Sequence, residues 1–243
     1  MVAGMIVTFM NVGYVQPTDE GLPSVVAATP HPTMSVSAEP TPTPTPTANV
    51  CDEPWEFDAA HTTISIPALG IVNHPITEYT RDNLVTEWVL GVEVKNAIVP
   101  EGNDTIVWYS SVDGSIISSC TPNTVYFFGH SNRFESAVFT NLPDLPVGSE
   151  IIIDTPTETL ILELLPPEGL NYDGSTPENG AVMVYKTDLK NDPRYTDAVA
   201  GRFVFITCNA GGAFENGHSV ANALSTFQLK NVVWKDSEEA LER

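Results

Sequence analysis

Basic residues are scarce in this chain. Ten Lys plus Arg stand against 31 Asp plus Glu, a formal net charge of −21 over 243 residues, and the first basic residue is Arg81. A surface this acidic repels phosphate backbones, which argues against nucleic acid as a partner and suits an exported or salt-exposed protein. Cysteine is also scarce: Cys51, Cys120 and Cys208 are the three. No two of them have knuckle spacing, which argues against a zinc site of the usual kind. An odd count leaves one thiol over if two pair, and pairing of Cys51 with Cys120 would leave Cys208 free. The chain also lacks a long apolar run. Residues 1–15, MVAGMIVTFMNVGYV, are largely apolar. They fall short of the ~20 residues that span a bilayer and carry no positive flank of the signal-peptide kind. Three readings compete for them, a membrane anchor cut short by a late start site, an odd signal segment or a loose hydrophobic tail, and the first is the expectation. No internal repeat is visible.

What is present begins with proline. Residues 16–54 hold nine of the 20 prolines, with TPHPTMSVSAEPTPTPTPTAN at 29–49. Alternating Thr-Pro cannot bury a core or donate a regular ladder of hydrogen bonds. It favours extended, polyproline-like backbone and predicts an unstructured, semi-rigid stalk before a folded domain at 55–236. From residue 62 the texture changes to short runs rich in Val, Ile, Thr, Phe and Tyr, separated by Gly, Pro and Asn. Strands are expected at 62–66, 71–77, 106–110, 124–128, 150–154, 160–164, 182–185, 203–208 and around 231–234. Residues 81–90 show a helical pattern, with Leu84, Val85 and Trp88 on one face. The C-terminal tail, 237–243, reads SEEALER, a short charged helix pattern. Many strands and few helices predict an all-β domain, a barrel or a sandwich.

Two strands end in chemistry. TVYFFGH (124–130) is an apolar run closing on Gly129 and His130, and FVFITC (203–208) is an apolar run closing on Cys208, followed by Asn-Ala-Gly-Gly. Gly129 is expected to let the backbone turn tightly. A thiolate is the nucleophile of cysteine catalysis, and an adjacent imidazole can lower the thiol pKa or protonate a leaving amine. Strand ends on a rigid sheet would hold such a pair in register. A cysteine at a strand end is also commonly a small buried hydrophobe, so the spacing alone leaves both readings open.

Three segments, in order, resemble the sortase family. ISIPALGI (64–71) with HPI (74–76) resembles its opening strand pair. TVYFFGHSN (124–132), followed by FTNLPDLPVGSEIII (139–153), resembles its catalytic histidine strand, and FVFITC resembles its Thr-x-x-Thr-Cys. The resemblance runs from about residue 62 to 227. It implies an eight-stranded sortase-like β-barrel with short helices, lying outside the cytoplasm at the cell surface and held near the membrane through the N-terminus. It implies a cysteine transpeptidase with His130 and Cys208 as catalytic residues. Cys208 would cleave a sorting-signal peptide of a surface protein through a thioacyl intermediate. An amine acceptor, from the cell wall or a pilin lysine, would then capture the acyl group.

The family carries an arginine shortly after the cysteine. Here NAGGAFENGHSVANAL (209–224) contains no Arg or Lys. An oxyanion needs a donor, and the substitutes that can be named are His218, nearest in the chain, Arg133, Arg202, or backbone amides of residues 209–212. A catalytically impaired sortase-like binding or scaffold module is therefore the rival function. A hydrolytic cysteine peptidase of another fold is a weaker rival, because here His130 precedes Cys208 and the cysteine ends a strand pattern. No cofactor is expected. Asp173, Glu178, Asp188 and Asp192, in the long segment between Leu165 and Phe203, leave calcium as the one metal to consider.

Overall fold

The structure, a computed structural model, describes residues 51, 54–132, 134–209, 212, 214–215 and 218–235. The apolar segment at 1–15, nearly all of the Pro/Thr stalk and the tail at 237–243 lie outside the described residues, and so does Arg133.

The described chain is mainly β. Its strands are β1 (Thr63–Ile66), β2 (Ile71–Tyr79), β3 (Val85–Val89), β4 (Val92–Ala97), β5 (Ile106–Tyr109), β6 (Val125–Gly129), β7 (Glu150–Asp154), β8 (Glu158–Leu164), β9 (Ala181–Tyr185), β10 (Arg202–Cys208), β11 (Phe214–Glu215), β12 (His218–Ser219) and β13 (Ala221–Trp234). One short helix, α1 (Pro193–Thr196), precedes β10. The principal sheet runs β10-β6-β5-β2-β1-β7-β8-β13, and β10 also pairs with β13, so eight strands close into a barrel. The ninth strand, β9, adds to the first half of β13. Closure leaves the eight ring strands no free edges, which is how an antiparallel-rich sheet of this size avoids edge-to-edge association.

Alternation sets which residues fill the barrel. Along β8 the burial pattern switches at every residue, with Leu160, Leu162 and Leu164 inside. β6 and β10 differ: nearly every residue is buried, because both faces are covered. Val125, Phe127, Phe203 and Phe205 point into the barrel core with Phe139 and Phe227. Tyr126, Phe128, Val204 and Ile206 point the other way, into a second cluster with Val182, Val184 and Leu224. Phe127 stacks on Phe205 with ring centroids 4.7 Å apart, an offset-stacking distance that adds to the area term.

The helix expected over 81–90 is absent. Residues Arg81–Asn83 form a single 3-10 turn, capped by Thr80, and the chain then enters the hairpin β3–β4. Val85, Thr86, Val89, Val92 and Val94 are β-branched and favour extended backbone. Leu90 and Gly91, both at positive φ (53° and 70°), make the tight turn that joins the two strands. The apolar spacing that resembles a helical face is instead a strand whose Val85 and Trp88 are exposed.

The segment before the barrel is stapled to it. Cys51 and Cys120 form a disulfide across a sequence separation of 69 residues, as the cysteine count allowed, and Cys208 is the free thiol. Closing a loop of this length stabilises by about 4 kcal/mol in the chain-entropy account. Trp55 and Phe57 pack on Trp108, with centroids 5.4 and 5.0 Å from it. Among the described residues no helix is long and apolar enough to cross a membrane.

Candidate active site

The site grows out of the parallel pair β6–β10. Their register is Phe203 with Val125 through Ile206 with Phe128. Residues in register on adjacent strands point to the same face, about 4.8 Å apart. Two positions beyond the last pair stand His130 and Cys208, on the face that carries Phe128 and Ile206. Side-chain hydrogen bonds tie the two strand ends together. Thr207 Oγ1 donates to Gly129 O at 2.8 Å, and Ser131 Oγ donates to Cys208 O.

Gly129 has a different role from the turn expected of it. Its φ is not positive. A Cβ at this position would stand 2.4 Å from Phe139 Cδ2, so glycine is required by the close approach of a core aromatic ring. Phe139 N in turn donates to His130 O at 2.9 Å, which fixes the backbone that presents the imidazole.

His130 is half-buried, and its Nε2 lies 2.8 Å from Pro100 O. A carbonyl oxygen only accepts, so Nε2 carries the proton and donates. In the neutral ring this leaves Nδ1 as the nitrogen free to take or exchange a proton.

Both residues line a cleft of about 790 Å³. The hairpin β3–β4 forms one wall, the segment that follows it another, and the stretch after β9 a third. The cleft floor continues the second apolar cluster: Phe128 and Ile206 lie below His130 and Cys208.

Cys208 pairs across the barrel seam with Asn222 of β13, and Asn222 pairs with Val184 of β9. Lys186 lies two residues beyond Val184, on the same face, and its N–H donates to Val220 O at 3.0 Å. Its side chain is only 8% exposed, and its Nζ lies 3.2 Å from Glu87 Oε2 of the hairpin. Burial pushes the Cys208 thiol above the usual cysteine range. The Lys186 ammonium pulls it down by charge and by hydrogen bonding, and Glu87 pushes it up.

The four substitutes for an arginine fare differently. Arg202 sits at the opposite end of β10, where its Nε donates to Thr124 Oγ1 at 2.8 Å, so it cannot serve Cys208. Arg133 lies outside the described residues. His218 belongs to the two-residue strand β12, whose backbone pairs it with Glu215 rather than with β10. Of the amides at 209–212, Asn209 N donates to Ala221 O and Gly212 N to Asn209 O, so both are engaged. The strand position opposite the cysteine is held by Asn222, and Lys186, just past the end of the neighbouring strand β9, lines the same cleft. Neither was recognised from sequence. The signal for Lys186 is the apolar run AVMVY, a strand closing on a lysine, the same form that singled out His130 and Cys208.

Two of the four acids considered for calcium, Asp173 and Asp192, are committed locally. Asp173 accepts from the amide and hydroxyl of Ser175, at 2.9 and 2.6 Å. Asp192 caps α1 and pairs with Arg194, which together outweigh the upward push of its burial and hold its carboxyl below the usual range. Among the described residues no cluster of three or more His, Cys, Asp or Glu side chains is placed to hold a metal.

No family model matches the chain, and no curated protein matches it. Solved structures to which it is similar are sortases. The SrtF sortase of Corynebacterium diphtheriae is 15% identical, with 85% of this chain and 100% of that one covered at a TM-score of 0.47. Sortase A of Listeria monocytogenes is 14% identical, with 74% and 94% covered at 0.44. Sortase E of Streptomyces avermitilis is 16% identical, with 75% and 96% covered at 0.43.

Proposed function

We propose that the chain is a divergent, sortase-like cysteine transpeptidase acting outside the cytoplasm on a sorting-signal peptide. The observation that carries this reading is the placement of His130 and Cys208 side by side at the ends of two parallel strands, facing one cleft. The disulfide supports an oxidising compartment, since such bonds persist outside the cytosol. Membrane anchoring through the N-terminal segment belongs to the same proposal.

Cys208 Sγ attacks the carbonyl carbon of the scissile peptide bond, and the thiol proton passes to His130 Nδ1. The imidazolium gives that proton to the departing amine as the C–N bond breaks, leaving a thioester on Sγ. An acceptor amine, from a cell-wall precursor or a pilin lysine, attacks the thioester carbon and loses a proton, and the thiol is restored. Pro100 O, by holding Nε2–H, keeps Nδ1 as the nitrogen that exchanges the proton.

The uncharged Asn222 opposite Cys208 is the one observation that favours the rival reading, a sortase-like module that binds without turnover. One experiment separates them. The protein is incubated with a library of sorting-signal peptides, with and without an amine acceptor, and intact-mass spectrometry follows Cys208. A thioacyl adduct that disappears on addition of an amine, with a new amide in the peptide, supports the transpeptidase. Retained peptide with no adduct from any member of the library supports the binding module.

A further inference from the structure

Lys186 is a costly residue where it stands. An ammonium group that is 8% exposed loses most of its hydration, and it persists only where a partner offsets that loss. The partner is Glu87, brought from 99 positions away on the hairpin β3–β4. A structural ion pair could have been built anywhere along the hairpin. This one lines the cleft, on the face shared by His130, Cys208 and Asn222. We infer that Lys186, held in place by Glu87, is the group that stabilises the anionic form of Cys208, with the hairpin setting how much of the ammonium's charge reaches the sulfur.

The geometry gives this arrangement a direction. Glu87 and Cys208 compete for one cation. Where Glu87 takes more of the ammonium's charge, less of it reaches the sulfur, and removing that carboxylate leaves the ammonium to the thiol. The other charged groups lining the cleft are Arg81, Glu93, Lys95 and Lys190. Lys95 is already paired with Glu93 at 3.3 Å. His130 just after β6, Tyr109 of β5 and Tyr195 of α1 complete the titratable groups lining the cleft.

The inference rests on the transpeptidase reading for its purpose but not for its test. The readout is the pH dependence of Cys208 alkylation by iodoacetamide in the full-length protein, which needs no peptide substrate. Cys51 and Cys120 are disulfide-bonded, so Cys208 is the one thiol to label, and Cys208→Ala provides the blank. Replacing a neighbouring cation shifts a thiol by about one unit or more. Lys186→Met is therefore expected to raise the alkylation midpoint by about one pH unit. The rate at neutral pH falls only about threefold, because a more basic thiolate is also more nucleophilic. Lys186→Arg is expected to keep the midpoint near that of the wild type, and Glu87→Gln to lower it. If Lys186→Met fails to fold because Glu87 is left half-buried and unpaired, the double variant Lys186→Met with Glu87→Gln carries no stranded charge, and its midpoint is expected above that of the wild type. A midpoint for Lys186→Met or the double variant at or below the wild-type value overturns the inference, as does a Glu87→Gln midpoint that rises. The function proposal fails independently, if wild-type protein with a normal alkylation profile forms no thioacyl adduct.

Discussion

The strands β6 and β10 have two faces that look alike in sequence and behave differently in the molecule. On one face Phe127, Phe205 and their neighbours are sealed inside the barrel, where Phe127, Phe203, Phe205 and Phe227 are fully buried. On the other face Tyr126, Phe128, Val204 and Ile206 are covered by β9 and the segments around it. That cover ends just before His130 and Cys208. The same two strands thus hold the protein together with odd-numbered side chains and present reactive groups with even-numbered ones. Stability and chemistry are separated by the two-residue period of a strand rather than by distance along the chain.

This separation can be broken from either side. Replacing Cys208 with Ala should abolish the thioacyl adduct completely, yet leave the denaturation free energy within about 1 kcal/mol of wild type. A large loss of stability from that change would mean that the outer face is structural after all. Phe205→Ala, three positions earlier but on the inner face, is expected to cost about 3–5 kcal/mol in urea or guanidinium unfolding. Gly129→Ala tests the one place where the two faces meet. Its Cβ would run into Phe139, at a cost of about 1–3 kcal/mol, and the same strain should slow thioacylation by displacing His130. If Gly129→Ala lowers stability without touching the rate, the faces are more independent than the geometry implies. Trp88→Ala, on the exposed outer wall of the cleft, should change stability by less than about 0.5 kcal/mol.

The smallest effect concerns pH. Burial raises the Cys208 thiol in the folded state, so the folded protein holds that proton more tightly than the unfolded chain does. The resulting stabilisation is fully present below the ordinary thiol pKa and is lost as pH rises through the folded-state value. Unfolding curves of wild type and Cys208→Ala, compared from pH 7 to pH 10, should therefore converge or cross at the alkaline end. Parallel curves across that range would mean that the thiol is not desolvated in the folded protein.

Most of the barrel was legible in the sequence because its strands are short, apolar and punctuated. β7 was read to the residue and β1, β2, β5, β6, β8, β9 and β10 to within two at either end. β13 was not. Only its last residues were foreseen, because Asn222, Ser225 and Gln228 interrupt the apolar character that marks a strand, although Leu224 and Phe227 are buried. That omission hid the pairing of Asn222 with Cys208 and turned attention to His218. The hairpin β3–β4 was misread for the opposite reason. Leu84, Val85 and Trp88 happen to fall at helical spacing, and a tight turn at Leu90–Gly91 shows in sequence only as a single glycine. Lys186 carries a local signal, an apolar strand pattern closing on a lysine, but its meaning depends on a glutamate 99 positions away.

The bond between Cys51 and Cys120 has a mechanical consequence. Cys120 sits in the loop before β6 and Cys51 at the junction with the Pro/Thr segment. Tension drawn along the chain from the residues before Cys51 would enter the barrel through the sulfur bridge as well as through the path that leads by Trp55 and Phe57 to β1. A covalent shunt of this kind shields β1 from being peeled away, a strand only four residues long. Under reducing conditions the same pull would load β1 directly, and the barrel would open from the strand it can least spare.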